Sequence, residues 1–211
     1  YASGGVFSKY SHEFQTITPY GEDIIYRVPN SDIAINKEII GEKEVLQELI
    51  PNYKNGDEEN LEQVKAIEVG NIFKLGSRFT DAFGSAFVGN NGEKERVLMG
   101  CYGIGPSRVM GTVAEVLSDE SGLVWPQEIA PFDIHLVSLV KDEASASKVT
   151  ETYHALKKMG FEVLLDDRAN VQAGEKFSDA DLIGMPIRAV LGKKSIEQNL
   201  IEIKRRGAAE S

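Results

Sequence analysis

Apolar positions along the chain follow two periods, and the change from one to the other divides it. In the N-terminal stretch, Phe14, Thr16 and Ile17 form a β-like run after a Gly-Gly pair, and Pro19 and Gly21 end it. Ile24 to Val28 reads as a second strand. A Pro-Asn-Ser turn follows, with Ser31 or Asp32 placed to cap a helix. Between Gly41 and Gln63 charged residues alternate with Val45, Leu46, Leu49, Ile50 and Leu61, which predicts one or two surface helices and a loop. Ile67, Val69, Ile72, Phe73 and Leu75 predict a strand entering a glycine-kinked turn and a short helix. GNNGEK at Gly89 to Lys94 reads as a hairpin loop.

The densest pattern is RVLMGCYGIGPSRVMGTVAEVL, from Arg96 to Leu117. Val97, Leu98 and Met99 read as a short buried strand and Gly100, Gly103 and Gly105 as a turn. Pro106 suits the first position of a helix whose apolar face is Val109, Met110, Val113, Ala114, Val116 and Leu117. Beyond Trp125, Pro126 and Pro131 the pattern alternates between strand and helix. A strand runs to Val140, a helix from Ser147 to Met159 stops at Gly160, and FEVLLDD is a strand. A helix runs through Asp179 to Ile183, and IRAVLG and NLIEIKRR are strands. This predicts a compact α/β unit on a mixed sheet.

Length and an apolar share of 42% suffice for one large or two modest cores. No apolar run approaches membrane-spanning length, and the first residues show neither a basic leader nor a signal-peptide core, so a cytoplasmic protein is expected. Cys101 is the only cysteine, which excludes an internal disulfide and argues against a cysteine-built zinc site. The net charge of −10 argues against indiscriminate nucleic-acid binding. It is unevenly spread: residues 1–130 carry 11 Lys/Arg against 20 Asp/Glu, whereas 131–211 carry 12 against 13. A local basic patch in the second part remains compatible with a specific RNA contact.

Several residues carry candidate chemistry. A strand–glycine–helix connection aims N–H groups and a positive dipole end outward, and Arg108 in the first helical turn adds a cation suited to phosphate oxygens. No Lys-Ser/Thr pair follows the glycines, and Arg108 stands where a dinucleotide fingerprint has its third glycine, so both common phosphate loops are disfavoured. Spacing alone is equally compatible with a tight connection bearing a surface arginine. Glu13 beside His12 suits an ammonium, although strand neighbours point to opposite faces and a solvated pair is the plain alternative. Lys74 faces a phosphate, a carboxylate or solvent. Cys101, between glycines and without a local histidine, reads as a small pocket wall rather than a nucleophile.

These residues carry a resemblance. GCYGIGPSR followed by an apolar helix resembles motif 3 of the class II aminoacyl-tRNA synthetases, and MGCYGIG before the Ser-Arg pair is similar to the bacterial-type prolyl-tRNA synthetases. GGVFSKYSHEF, IEVGNIFKLGSRFTDAF and DDRANVQAGEKFSDADLIGMPIRAVLG stand in the same family order and cover most of the chain. Asn71 departs from the histidine that many relatives have there.

The resemblance implies an α/β (α+β) chain. Residues 1–130 would be the C-terminal part of a class II antiparallel-sheet catalytic domain, and 131–211 a mixed-sheet anticodon-binding domain. It implies proline–tRNA ligase activity, in which ATP, with Mg2+ but no dedicated metal site, activates L-proline for transfer to tRNA(Pro). The full-length enzyme would be a homodimer without a membrane role. Arg108 would be catalytic and hold ATP together with Gly100, Gly103, Gly105 and Lys74. His12, Glu13 and Cys101 would line the proline side, and Arg168, Lys176 and Phe177 would meet the anticodon, with Asp166 and Asp167 placed to orient Arg168. Nothing in the chain resembles motifs 1 and 2, and the connection after SHEF is too short for an editing insertion, so the isolated chain is expected to be incomplete as a catalyst. Two other readings stay open: a non-catalytic tRNA-binding module, and a class II synthetase for threonine, glycine or histidine.

Overall fold

The computed structural model of the chain describes residues 1–207. Contacts divide it into two compact units, Tyr1–Thr112 and Val113–Ser211. The first holds β1 (Ala2–Ser3), β2 (Tyr10–Ile17), β3 (Asp23–Arg27), β4 (Ala34–Asn36), α1 (Lys43–Leu49) and β5 (Glu62–Gly76), followed by α2 (Arg78–Ala82), β6 (Ala86–Val88), β7 (Lys94–Arg96) and β8 (Met99–Ile104). The division falls within α3 (Pro106–Leu117).

An antiparallel sheet of order β1-β2-β5-β3-β4 organises this unit, with β8 paired to β5. β5, at 15 residues, serves three partners. One of its edges takes β2, and the other takes β3 along Glu62 to Ala66 and β8 along Gly70 to Gly76. A bulge where β2 passes from Phe14 to Gln15 shifts the register from Gly70 to Glu68. The extra residue puts Glu68 and Asn71, three apart, on the same face of the sheet.

Two local expectations need correction. The segment after the Pro-Asn-Ser turn is a strand, not a helix: β4 pairs with β3 and buries Ile35 completely. Helical structure begins only at the 3-10 turn Lys37–Ile39, and its cap is Asn36, which accepts from the Glu38 N–H at 3.1 Å. The helix α1 is the surface helix expected there, with Lys43, Glu44, Gln47 and Glu48 exposed, while Val45 and Leu46 on its inner face join Val28, Ile35, Ile39 and Ile50 in the core of this unit. Full burial of a side chain such as Leu46 stabilises by about 2 kcal/mol, which outweighs the acidic composition around it. The glycine stretch is strand rather than turn: β8 runs through Gly100 and Gly103, and Leu98, Tyr102 and Ile104 are exposed, not buried.

The second unit contains β9 (Ile134–Ser138), α4 (Glu143–Lys158), β10 (Val163–Asp166), α5 (Ala173–Ile183), β11 (Ile187–Leu191), α6 (Lys193–Glu197) and β12 (Glu202–Arg205). Its sheet has the order β10-β9-β11-β12, parallel except for β12, and is therefore mixed as expected. β9 is buried throughout. Alternation sends Ile134 and Leu136 towards Val149 of α4, and Val137 towards Ala180 of α5. Asp142 caps α4 by accepting from the Ser145 N–H at 2.9 Å. α5 stops at Gly184, whose φ is +76° and where a Cβ would fall 1.9 Å from the Leu123 carbonyl oxygen, so only glycine fits. The Trp125 indole N–H donates to the Ile183 carbonyl at 3.1 Å, which fastens residues 123–125 to the end of α5. Among the described residues no helix is long and apolar enough to cross a membrane.

Candidate functional site

Cross-strand register sorts the candidate residues of the first unit by face. Glu13 pairs with Asn71, Asn71 with Gly103, and Phe73 with Cys101, so these side chains share one face. His12, Lys74 and Tyr102 belong to the other. The His12 ring lies 4.5 Å from that of Tyr1, tilted by 58°, and burial followed by the Lys74 charge holds its pKa below the usual histidine value. The structure thus separates His12 from Glu13, and Lys74 from Arg108.

A polar lattice forms on the Glu13 face. Gln15, two residues on and therefore on the same side, donates from Nε2 to Glu13 at 3.0 Å and to Asp23 at 2.7 Å. Asn36 Nδ2 donates to the same Glu13 oxygen at 3.4 Å. Burial raises the Glu13 pKa above the ordinary carboxylate value. The bonds from Gln15 and Asn36 oppose that rise, and the charges of Glu68 and Asp23 add to it. Glu13, Gln15, Arg27 and Asn36, with Ile17 and Ile25 as an aliphatic wall, line a cavity of about 330 Å³.

Beside this lattice stands Arg108, in the first turn of α3. Its guanidinium reaches back over β5, with Nη1 3.3 Å from the Glu68 carbonyl and 3.4 Å from the Glu68 carboxylate, and Nη2 3.5 Å from Glu22. Glu68 is itself held by Asn71, whose Nδ2 donates at 2.9 Å. The Arg108 side chain is 48% exposed, so its pairs are accessible to a competing anion. Gly100, Gly103 and Gly105 are absent from the positive-φ positions among the described residues. A Cβ on Gly103 would lie 2.5 Å from the Asn71 amide oxygen and disturb the group that orients Glu68, and one on Gly100 would meet the Tyr102 ring. Gly105 alone sits at the strand-to-helix connection, where its carbonyl accepts from the Val109 N–H at 2.8 Å. Cys101, expected as a pocket wall, is exposed on β8, which has β5 on one edge only. Among the described residues no group of three or more His, Cys, Asp or Glu converges as a metal site.

The second unit places its candidates differently. Arg168 is bound through two nitrogens to Asp166, at 2.9 and 2.8 Å, and to Asp179 at 2.7 Å. The expected orienting role belongs to Asp166, whose pKa these bonds lower to about 2. Lys176 was expected at the RNA-facing surface, and this is corrected: it is 3% exposed and donates inward to the Ser138 carbonyl at 2.7 Å. Phe177 is packed against the Val137 cluster with the Arg188 guanidinium 4.8 Å from its ring. Framework contacts hold all three.

Glu68, Gln15, Asp23 and Asn36 were not anticipated. Period-2 alternation already puts Gln15 beside Glu13, but Glu68 joins them only through the bulge, which leaves no mark in the sequence.

Comparison with known proteins agrees with this architecture. Residues 129–211 match the anticodon binding domain family. Over 148 residues, 70% of this chain, the sequence is 45% identical to proline–tRNA ligases of Bacillus mycoides and Bacillus cereus and covers 26% of each. The chain thus spans about a quarter of the length of the curated relatives it matches. Among solved structures, Giardia lamblia prolyl-tRNA synthetase in complex with prolyl-adenylate matches 69% of this chain and 30% of its own, at 25% identity and a TM-score of 0.59. The Cryptosporidium parvum enzyme, complexed with L-proline and AMP, matches 69% and 32% at 27% identity and a TM-score of 0.58. In sequence and in fold, the chain belongs to the prolyl-tRNA synthetase family.

Proposed function

We propose that the chain contributes to proline–tRNA ligase activity, in which ATP activates L-proline as prolyl-adenylate and the prolyl group passes to tRNA(Pro). The observation that carries this reading is the Arg108 lattice: a guanidinium at a helix N-terminus, aimed by Glu68 across the sheet from Glu13. Arg108 meets ATP phosphate by exchanging its two carboxylate partners for phosphate oxygens, a favourable exchange for a half-exposed pair. The thinness of Gly103 on the Asn71 face, and of Gly105 at the connection into α3, leaves room for the adenylate, whereas Gly100 lies on the Lys74 face. Glu13 receives the protonated amine of proline. Mg2+ arrives with ATP and offsets phosphate charge when bound. Catalysis is positioning and charge stabilisation, with no covalent enzyme intermediate.

His12 and Lys74, on the opposite face, act on this reading through the sheet rather than on the ligand, and Cys101 borders the proline side once further polypeptide covers β8. The second unit carries the anticodon contact. With Lys176 turned inward, the contact rests on the surface around Arg168. The full-length enzyme is proposed to be a cytoplasmic homodimer.

The test is proline-dependent ATP–pyrophosphate exchange, measured on the chain alone and on a chimera in which it replaces the matching segment of the Bacillus cereus enzyme. The chimera should exchange with proline and not with threonine, glycine or histidine, while the chain alone should not. Exchange-inactive chimeras together with tRNA binding by the chain would support a non-catalytic tRNA-binding module instead.

A further inference from the structure

The expected boundary between the units lies at residues 130 and 131, behind Trp125 and Pro126. Contacts fasten the chain to the second unit well before that point. Asp119 follows closely on the end of α3 at Leu117, and Arg206 grips its carboxylate with two nitrogens, each 2.6 Å from an oxygen. The same guanidinium donates from Nε to the Asp181 carbonyl at 3.1 Å, and its side chain is only 9% exposed. Two-point pairing of a planar fork with a carboxylate fixes direction as well as distance. Asp119 Oδ1 also accepts from the Ser121 and Gly122 N–H groups, at 2.8 and 3.2 Å, which turns the chain at once. Leu123 and Trp125 then donate their N–H groups to the Leu182 and Gly184 carbonyls at the end of α5. Backbone meets backbone here: a Cβ on Gly122 would fall 2.3 Å from Leu182 Cα, the counterpart of the contact between Gly184 and Leu123. Residues 119–125 thus form a strap on the second unit, closed by Arg206.

We propose that the Asp119–Arg206 clasp removes the slack from the connection that leaves α3, so that transfer of the prolyl group to tRNA depends on the clasp while activation of proline does not. This rests on the tRNA contact assigned to the second unit and deepens it, by naming what ties that contact to the helix bearing Arg108. Activation uses ATP and proline alone and is indifferent to the connection. Transfer needs one tRNA to engage both units, and a connection with few free residues raises the effective concentration of one end of the tRNA once the other is bound. With the clasp closed, Ser118 alone separates α3 from the strap. With it open, residues 118–130 become a free tether, and that gain is lost.

Asp119→Asn opens the clasp gently, because the amide oxygen still accepts from Ser121 and Gly122 and only the charged pair is lost. Arg206→Gln removes the fork altogether. In the full chain, hydrogen exchange at the Leu123 and Trp125 amides should quicken about tenfold in Asp119→Asn and further in Arg206→Gln, with Leu136 unmoved. Emission of Trp125, the only tryptophan, should shift to longer wavelength. In the Bacillus cereus chimera, proline-dependent pyrophosphate exchange should stay level, while charging of a tRNA(Pro) transcript falls about fivefold in kcat/KM. Arg206→Lys, which keeps the charge without the fork, should lie between the parent and Arg206→Gln in both measurements. A merely structural role would lower charging and pyrophosphate exchange together. That result, charging that holds level, or unmoved protection at Leu123 and Trp125 overturns the proposal. A parent chimera inactive in pyrophosphate exchange removes the ligase reading instead, and the strap then stands or falls on the protection of Leu123 and Trp125.

Discussion

In the second unit Lys176 and Asp166 are buried together under α5, with the Lys176 ammonium on the Ser138 carbonyl and the Asp166 carboxylate on Arg168. In the first, Glu13 opens onto a cavity, and it and its neighbours Asp23, Glu68 and Arg108 are held by amides and by long, partly exposed ion pairs. One arrangement satisfies its charges internally and so stiffens a framework. The other leaves a guanidinium loosely held, and so stays able to exchange protein partners for a ligand. The residues that pair most completely within the protein are thus not those best placed for binding.

The contrast is broken most sharply by one substitution made at two lysines. Lys176→Met leaves Asp166 short of a buried cation and the Ser138 carbonyl unpaired, and should destabilise the second unit by about 3 kcal/mol. Lys74→Met, at an exposed position on β5, should change stability by no more than about 0.5 kcal/mol. Urea denaturation followed by hydrogen exchange at Leu136 and at Leu46 assigns each loss to its unit. Equal losses would show that the burial of Lys176 contributes nothing. Next in size, Arg108→Ala should lower pyrophosphate exchange by the chimera about a hundredfold while leaving the exchange protection of Ile35 unchanged.

How far this contrast was legible beforehand depends on the range of the interactions that make it. Local signals sufficed for the order of strands and helices in the second unit and for the end of α4 before Gly160, but not for the helix starts: α4 begins at Glu143 behind the Asp142 cap rather than near Ser147. They failed at β8, because two glycines in six residues disfavour a strand locally and only pairing with β5 imposes one. They failed at β4 for a related reason: Ile35 is buried by residues up to Ile50, which a window around Ser31 does not contain. In the site, Arg108 was readable from its helix start and Glu13 from its strand. The inward turn of Lys176 was not, since a lysine in a helical first turn ordinarily faces water and its acceptors come from the ends of β9 and β10.

Acid should separate the units more gently. Burial keeps the His135 pKa below the ordinary histidine value. A histidine depressed in the folded state stabilises it while neutral, and that contribution is lost as pH falls below the unfolded value near 6.5. The first unit contains the same effect at His12, but Glu13 has the opposite sign: its raised pKa means that the folded state gains stability as the carboxyl takes up its proton. Between pH 7 and 5, protection of Val137 in the second unit should therefore fall faster than protection of Leu46 in the first. His135→Phe should flatten the difference. Below pH 4 the second unit has a further loss in store, because Asp166 stabilises only while ionised and takes up its proton near pH 2.

The smallest expected effect tests whether the first unit's charges are held for exchange rather than for stability. Glu22 lies 3.5 Å from Arg108 and is 72% exposed, a geometry that contributes at most about 0.5 kcal/mol to folding. Glu22→Gln should leave the denaturation midpoint almost unmoved. It should nonetheless tighten ATP, because the phosphate then has one fewer carboxylate to displace. A two- to threefold fall in KM for ATP in chimera exchange, about 0.5 kcal/mol at constant kcat, is the expected reading. A change in kcat with KM fixed would place Glu22 in the chemistry instead. No change in either would mean that Glu68, which holds Arg108 through its carbonyl as well as its carboxylate, accounts for the whole restraint on the guanidinium.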